Sequence, residues 1–179
     1  MKEISSFLDP EKLLFKAGVA AGLTVADLGA GSGFFAQASA RLVGNNGKVW
    51  VVDVRDSSLD HVSSEARVRG IKNIQTVKAD LEEDELERIE TGTVDVVVLA
   101  NLLHQIKNRR NLFKTVYRIL KTGGKLVIVD WNEKPSPIGP AAAERVGEQE
   151  AKKIASDFSL KFAGTLECDS FHYGLMFIK

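Results

Sequence analysis

A glycine-rich segment is the first feature of the sequence that could do chemistry. It reads G-A-G-S-G over residues 29–33, after a predicted strand at 24–28 and before a predicted helix at 34–43. Glycines allow the backbone to turn tightly and to approach a ligand closely. The start of the following helix offers free N–H groups and the positive end of the helix dipole. This segment, which we call the glycine loop, therefore predicts a site for a phosphate or a carboxylate group.

Two carboxylates follow the next two predicted strands and strengthen that prediction. Asp53 lies at the end of a valine-rich run at 48–54, and Asp80 follows the third strand. In a nucleotide-binding α/β fold, an acid at the position of Asp53 can accept hydrogen bonds from ribose hydroxyls. A carboxylate at the position of Asp80 could reach the amino group of adenine. Capping a helix or a turn is the alternative role for both residues. We assign the capping of the helix at 57–69 to Asp56, which leaves Asp53 free for a ligand.

The spacing of the glycines argues against a dinucleotide. A dinucleotide fingerprint reads G-x-G-x-x-G, and its last glycine makes room for the pyrophosphate and for helix packing. Here the pattern is G-x-G-x-G, and Phe34 occupies the position of that last glycine. A bulky ring there disfavours a pyrophosphate. We assign both Phe34 and Phe35 to the core, with a place for one of them in the lining of the donor pocket as the alternative. A nucleotide-dependent oxidoreductase stays an alternative.

The rest of the chain has a pattern of strands and helices that would position these residues. Short apolar runs alternate with amphipathic stretches, which predicts a parallel sheet covered by helices on both faces. The predicted strands lie at 24–28, 48–54, 73–78, 94–100, 125–130, 159–167 and 171–178. The predicted helices are one that begins at Asp9 and others at 34–43, 57–69, 108–120 and 147–158. We expect one α/β domain over residues 1–179, with an N-terminal helical segment at 1–22 and a core at 23–179.

Composition limits the partners and the location that we expect. Lys and Arg together number 24, as do Asp and Glu, so the formal net charge is zero. Proteins that grip a phosphate backbone usually carry surplus positive charge, and we therefore expect no nucleic-acid partner. No apolar run approaches the length of a membrane span. The single cysteine, Cys168, allows neither an intramolecular disulfide nor a cysteine-based zinc cluster, and we expect a cytoplasmic protein without a bound metal.

Five ordered motifs resemble those of class I S-adenosylmethionine-dependent methyltransferases. The segments that carry the resemblance are, in order, 25–35, 51–53, 78–81, 94–101 and 117–126. The resemblance implies a Rossmann-like sheet of seven strands, mostly parallel, with an antiparallel last strand inserted beside the fifth. It also implies that S-adenosylmethionine is the methyl donor and that the methyl acceptor is a small molecule.

Within that class, the sequence most resembles the group of ubiquinone and menaquinone methyltransferases. The residues that carry this are Val127-Ile128-Val129-Asp130-Trp131 and Phe171-His172-Tyr173-Gly174. The resemblance implies an additional N-terminal segment in quinone methyltransferases that we do not find in this sequence, and we therefore expect an acceptor other than a quinone. The segment at 100–103 also lacks the Asn/Asp-Pro-Pro-Tyr signature of enzymes that methylate amino groups in nucleic acids.

The resemblance assigns residues to the donor one by one. The glycine loop would meet the methionine end, Asp53 the ribose, and Asp80 and Leu81 the adenine. The complete set expected at the donor is Asp27, Gly29, Ala30, Gly31, Gly33, Asp53, Val54, Asp80, Leu81, Ala100 and Asn101.

Candidate catalytic residues lie beyond the carboxyl ends of later strands, where ligands of open parallel sheets bind. His104 follows the fourth strand. His172 begins the seventh strand, and the resemblance implies a parallel sixth strand, which would bring the turn before His172 to the same edge. Imidazole is suited to proton transfer near neutral pH, so either residue could be the general base, with loop packing as the alternative. Trp131 and Tyr173 are expected to wall the acceptor pocket, although Trp131 could instead shield the sheet edge.

The specificity for the methyl acceptor would be determined by the N-terminal helix, by the proline-rich loop at 133–141, or by a partner in a homo-oligomer. Two further hypotheses stay open. One is a methyltransferase-fold subunit that binds but does not catalyse, and the other is a methyltransferase that acts on protein or RNA.

Overall fold

The computed structural model describes residues 8–179 and contains one seven-stranded sheet. The strands are β1 (Thr24–Leu28), β2 (Lys48–Asp53), β3 (Ile74–Lys78), β4 (Val94–Ala100), β5 (Leu120–Trp131), β6 (Lys161–Leu166) and β7 (His172–Ile178). Their order across the sheet is β3-β2-β1-β4-β5-β7-β6. The first five strands pair in parallel, whereas β7 is antiparallel to both of its neighbours. The predicted Rossmann-like architecture, with the last strand inserted beside the fifth, is therefore confirmed.

Five α-helices cover the two faces of this sheet in the described residues. They are α1 (Pro10–Lys16), α2 (Phe34–Val43), α3 (Asp56–Val68), α4 (Arg109–Ile119) and α5 (Glu148–Asp157). The carboxylate of Asp9 caps α1 by accepting a hydrogen bond from the N–H of Lys12, as a residue before Pro10 should. Asn108 caps α4 in the same way through the N–H of Asn111. None of the helices within residues 8–179 is long and apolar enough to cross a bilayer.

Helix α3 corrects one prediction. Asp56 is its first residue rather than its cap, and the Asp56 carboxylate pairs with the Lys78 ammonium at 2.5 Å. The side chain that contacts the backbone at this end is Asp53, which accepts a hydrogen bond from the N–H of Arg55 at 2.9 Å. The prediction that Asp56 spares Asp53 from this role was wrong, because the Asp53 carboxylate can reach the N–H of Arg55, two residues further along the chain, across a tight turn.

Strand β5 begins earlier than predicted, at Leu120 instead of residue 125. Leu120 pairs with Val94, and an irregularity between Val94 and Val96 absorbs the two glycines that were predicted as a turn. Strand β6 begins later than predicted because Ser159 has a left-handed backbone, with φ of 61°, which ends helix α5 and delays the extended segment.

The core has two halves, one on each face of the sheet. Along β4, Val97 and Leu99 point into the half that α4 and α5 cover, whereas Val96 and Val98 point into the half that α1, α2 and α3 cover. A strand buried on both faces is continuously apolar, as the sequence indicated. The sheet is thus held rigidly from both sides, and this fixes the positions of the residues that follow each strand.

Candidate active site

A cavity of about 780 Å³ lies across the carboxyl ends of β1, β2, β3 and β4. Its volume falls in the range of small-molecule sites, about 300–1,000 Å³. The walls come from the glycine loop, from the residues that follow β2, β3 and β4, and from Leu8 and Pro10 at the start of α1. Parallel strands bring all of these loops to one edge of the sheet, where an α/β fold binds its ligands.

This cavity collects all but one of the residues predicted at the donor. Those that line it are Asp27, Gly29, Ala30, Gly31, Asp53, Val54, Asp80, Leu81, Ala100 and Asn101. The exception is Gly33, which has a left-handed φ of 76° and faces helix α3. A Cβ at Gly33 would lie 2.5 Å from Cγ2 of Val62, so this glycine allows the loop to pack against α3.

Replacing Gly33 with alanine is expected to destabilise the protein for two reasons. A left-handed backbone costs a non-glycine residue about 1–2 kcal/mol, and the clash with Val62 adds about 1 kcal/mol or more. Gly92 is a matched control, since its φ is 67° but a Cβ there would meet nothing within 4 Å. Chemical denaturation should show Gly33→Ala to be less stable than Gly92→Ala. Equal stabilities would contradict the proposed packing against Val62.

Asp53 is the most highly connected carboxylate of the cavity. Its side chain is 4% exposed, and its Oδ2 accepts a hydrogen bond from the N–H of Gly31 at 2.9 Å. The guanidinium of Arg55 donates to both carboxylate oxygens, from Nε at 3.2 Å and from Nη2 at 3.5 Å. Burial opposes ionisation of Asp53, but the hydrogen bonds from Arg55 and Gly31 outweigh it and hold the pKa of this carboxyl below its ordinary value. Asp53 is therefore an anion that faces the cavity. Sequence reasoning missed the part that Arg55 plays.

Asp27 lies near the end of β1, in surroundings that favour its neutral form, whereas those of Asp53 favour the anion. Its side chain is buried, and its Oδ2 has no hydrogen-bond partner among residues 8–179. Burial raises the pKa of Asp27 to about 7, against a hydrogen bond from the N–H of Ala36 and with help from the negative charge of Asp53. A buried carboxyl oxygen without a hydrogen-bond partner is costly, and Oδ2 of Asp27 is such an atom in the part of the chain that the structure describes. Its place on the cavity wall suits a ligand that brings a cation or a hydrogen-bond donor.

The loop that follows β4 has a strained backbone and is held in place by hydrogen bonds to a buried carboxylate. Asn101 has a left-handed φ of 53°, and its buried Oδ1 also lacks a partner within the described chain. Underneath, the fully buried carboxylate of Asp130 accepts hydrogen bonds from the N–H groups of Leu102 at 3.1 Å and Leu103 at 2.9 Å. Backbone strain that is held by neighbouring structure is common at functional sites. Asp130 therefore positions the part of the cavity wall that Asn101 and Leu102 form.

His104 lies on this same loop, close to the buried Asp130. Its Nδ1 is 3.7 Å from Oδ1 of Asp130, and its side chain is 15% exposed. It is not among the residues that line the cavity. A role for His104 as the general base stays a prediction, because the geometry shows only a packing contact beside Asp130.

The three predicted residues on β5 and β7 lie outside the cavity, with Trp131 and His172 in contact and Tyr173 bonded elsewhere. Nδ1 of His172 lies 2.8 Å from Oδ1 of Asp169, and the imidazole packs on the Trp131 ring with their centroids 4.2 Å apart. The hydroxyl of Tyr173 donates a hydrogen bond to the carbonyl of Val146 at 2.8 Å. These contacts join the end of the sheet to the loop after β5. In this conformation His172, Trp131 and Tyr173 support the fold, and their roles at the acceptor stay predictions.

Phe34 and Phe35 both line the cavity, which the alternative to the core assignment allowed for one of them. Phe35 is buried as predicted, whereas Phe34 is 69% exposed, so its assignment to the core was wrong. The physical reason is that Phe34 is the first residue of α2, where the helix has not yet turned toward the sheet. Gln105 and Ile106 complete the wall beyond β4. Their position in the loop after a buried strand was the only signal that could have identified them.

Known proteins resemble this chain in sequence. A family model described as a methyltransferase domain matches residues 20–168. The ubiquinone/menaquinone biosynthesis C-methyltransferase UbiE of Cronobacter sakazakii is 31% identical over 150 residues, which cover 78% of this chain and 58% of that protein. UbiE of Klebsiella pneumoniae is 30% identical over 118 residues, 65% of this chain and 46% of the relative. The chain spans about half the length of the curated relatives that it matches.

Solved structures resemble it in fold. A SAM-dependent methyltransferase from Aquifex aeolicus superposes with a TM-score of 0.88 at 26% identity, over 96% of this chain and 90% of the other. An arsenic(III) S-adenosylmethionine methyltransferase from Chlamydomonas reinhardtii gives a TM-score of 0.70 at 23% identity, over 88% and 63% of the two chains, and shares the fold alone. Because the family model covers more than half of the chain, this protein belongs to the methyltransferase domain family, with the fold of the class I S-adenosylmethionine-dependent methyltransferases.

Proposed function

We propose that this chain is an active methyltransferase that takes its methyl group from S-adenosylmethionine and transfers it to a small, uncharged molecule. The observation that carries the proposal is that one cavity joins the glycine loop, Asp53 and Asp80. These groups are spread over more than fifty residues of sequence and come from three different strands. In a methyltransferase-fold protein that binds no donor, these groups would not be expected to line one open cavity together.

The residues present fit the groups that the donor carries. The Asp53 carboxylate suits ribose hydroxyls, and the exposed Asp80 suits an exocyclic amino group. The partnerless oxygen of Asp27 beside the glycine loop suits the ammonium of an amino acid. S-adenosylmethionine supplies a methyl group already activated on a sulfonium, so the protein has only to bind, orient and exclude water. Such positioning can lower a barrier by about 7–11 kcal/mol.

The charge of the cavity supports a cationic ligand over an anionic one. Asp27, Asp53, Asp80 and Glu82 line it, against the single cation of Arg55 among the described residues. Glu82 is engaged, since its carboxylate accepts hydrogen bonds from two backbone N–H groups after β4. The remaining excess of acid attracts a sulfonium and an ammonium and repels a pyrophosphate.

The far end of the cavity supports an apolar acceptor. The acids lie after β1, β2 and β3, whereas the wall beyond β4 and along the starts of α1 and α2 is uncharged in the part of the chain that the structure describes. The residues of this end are Leu8, Pro10, Phe34, Phe35, Asn101, Leu102, Gln105 and Ile106. An acceptor with a charged group would lose its hydration there without finding a partner.

Titration calorimetry with S-adenosylhomocysteine tests the proposal without knowledge of the acceptor. We expect saturable binding with one ligand per chain, and no heat of binding with NADH under the same conditions. Absence of S-adenosylhomocysteine binding at millimolar concentration would overturn the proposed function. Binding of NADH alone would favour an oxidoreductase instead.

A further inference from the structure

The carboxylate of Asp53 has no free acceptor site. An ionised carboxylate offers about four lone-pair positions. Two of them receive the backbone N–H groups of Gly31 and Arg55, each at 2.9 Å. The other two receive the Arg55 guanidinium, through Nε at 3.2 Å and Nη2 at 3.5 Å. A ribose with two hydroxyls would therefore find every position on this carboxylate occupied.

Only the guanidinium can give up its place at low cost. The N–H of Gly31 is fixed by the glycine loop, and the N–H of Arg55 is fixed by the start of α3. The Arg55 side chain, in contrast, is 61% exposed and reaches the carboxylate from solvent. Water competes for the exposed guanidinium but hardly for the buried carboxylate, so the Arg55 side chain can leave Asp53 more easily than either backbone N–H group.

The guanidinium also lies on the cavity side of the carboxylate. Arg55 lines the cavity, and its Nη2 would be 3.9 Å from a Cβ built on Gly31. The group therefore spans the space between the glycine loop and the end of β2, which is the space that a nucleoside needs if its sugar is to reach Asp53.

We propose that Arg55 is a positioning residue that competes with the nucleoside, its guanidinium leaving Asp53 when the ribose hydroxyls bind. This inference rests on the proposed function. Without ligand, Arg55 keeps the buried carboxylate ionised and correctly oriented. With ligand, two hydroxyl donors replace the two guanidinium donors, and the arginine turns to solvent.

The proposal makes an unusual prediction, namely that removal of a cation from the binding site improves binding of a nucleoside. In Arg55→Ala, the ligand no longer has to displace a guanidinium, and the dissociation constant of S-adenosylhomocysteine should fall by about two- to fivefold, the size expected for an ion pair whose cation is exposed to water. If Arg55 instead contacted the ligand directly, the same substitution would weaken binding.

The experiment is a double-mutant cycle measured by titration calorimetry with S-adenosylhomocysteine. The four proteins are wild type, Arg55→Ala, Asp53→Ala and the double variant, with Arg55→Gln as a second substitution in case alanine disturbs folding. Arg69→Ala is the matched control, since Arg69 pairs with Glu65 at the other end of the same helix. We expect tighter binding for both Arg55 variants, no change for Arg69→Ala, and no effect of Arg55→Ala once Asp53 is absent.

Unchanged or weaker binding by Arg55→Ala would overturn the inference. So would an equal gain in the Asp53→Ala background, because the effect would then not pass through that carboxylate. These outcomes differ from failure of the proposed function, in which wild type itself would not bind S-adenosylhomocysteine.

Discussion

Replacing Asp53 with alanine is expected to weaken S-adenosylhomocysteine binding by about 10- to 100-fold, since each hydrogen bond to a charged group contributes about 1.5–3 kcal/mol. The substitution removes the anion that faces the cavity and leaves the N–H of Gly31 without its acceptor. Both changes act on the ligand, the first by loss of the contacts to the ribose and the second by loosening the glycine loop. Titration calorimetry measures the effect directly.

Asp60→Ala is the matched control for this prediction. Asp60 is an exposed residue of α3 and does not line the cavity, so its removal should leave the dissociation constant unchanged. A thermal melt of each unliganded variant shows whether the fold is intact. If the correctly folded Asp53→Ala protein bound as tightly as wild type, the assignment of Asp53 to the ribose would be wrong.

Replacing Asp27 with asparagine is expected to stabilise the unliganded protein, and increasingly so as the pH rises. The pKa of Asp27 is about 7 in the folded state and 3.8 as its ordinary value, so the folded state holds this proton over a range in which the unfolded state has released it. Stability therefore falls as the pH rises between these two values. A shift of one pKa unit corresponds to about 1.4 kcal/mol, which makes the expected gain at about pH 8 on the order of 2–4 kcal/mol.

Denaturant unfolding at about pH 4 and about pH 8 separates a pH-dependent gain in stability from one that is the same at every pH. The difference between Asp27→Asn and wild type should be small at the lower pH and large at the higher. Asp60→Asn, an exposed control, should not stabilise the protein at either pH. A pH-independent difference for Asp27→Asn would mean that burial does not hold the proton on this carboxyl.

The same substitution should weaken ligand binding although it strengthens the fold. An asparagine can still accept the hydrogen bond from Ala36, but it carries no charge for an ammonium group. The affinity of wild type for S-adenosylhomocysteine should rise with pH as Asp27 ionises, and Asp27→Asn should lose this dependence. Stability gained where binding is lost would identify Asp27 as a functional residue and not as a structural one.

Much of the fold could be predicted because its central strands are buried on both faces, whereas the place of the antiparallel last strand came from the family resemblance. Continuous apolar runs such as 94–100 identify strands of a parallel sheet, and the glycines at 29–33 identify the turn that follows the first of them. The strand ends then meet at one edge, so Asp53 and Asp80 could be placed at one cavity from sequence spacing alone. The structure brings them together there.

The remaining features depend on side-chain directions that spacing does not determine. His172 follows Asp169 closely enough to pair with it and is drawn to the Trp131 ring, away from the cavity. Arg55 could have turned to solvent but pairs with Asp53. In both cases a partner across a short turn decides the orientation, and periodicity carries no information about such pairs.

A crystal structure of the complex with S-adenosylhomocysteine is the most direct test of the central claim. The account predicts the ligand in the cavity at the ends of β1, β2 and β3, its amino acid at the glycine loop and its ribose hydroxyls on Asp53, with the Arg55 guanidinium withdrawn. A ligand bound elsewhere, or a sugar that does not touch Asp53, would contradict it.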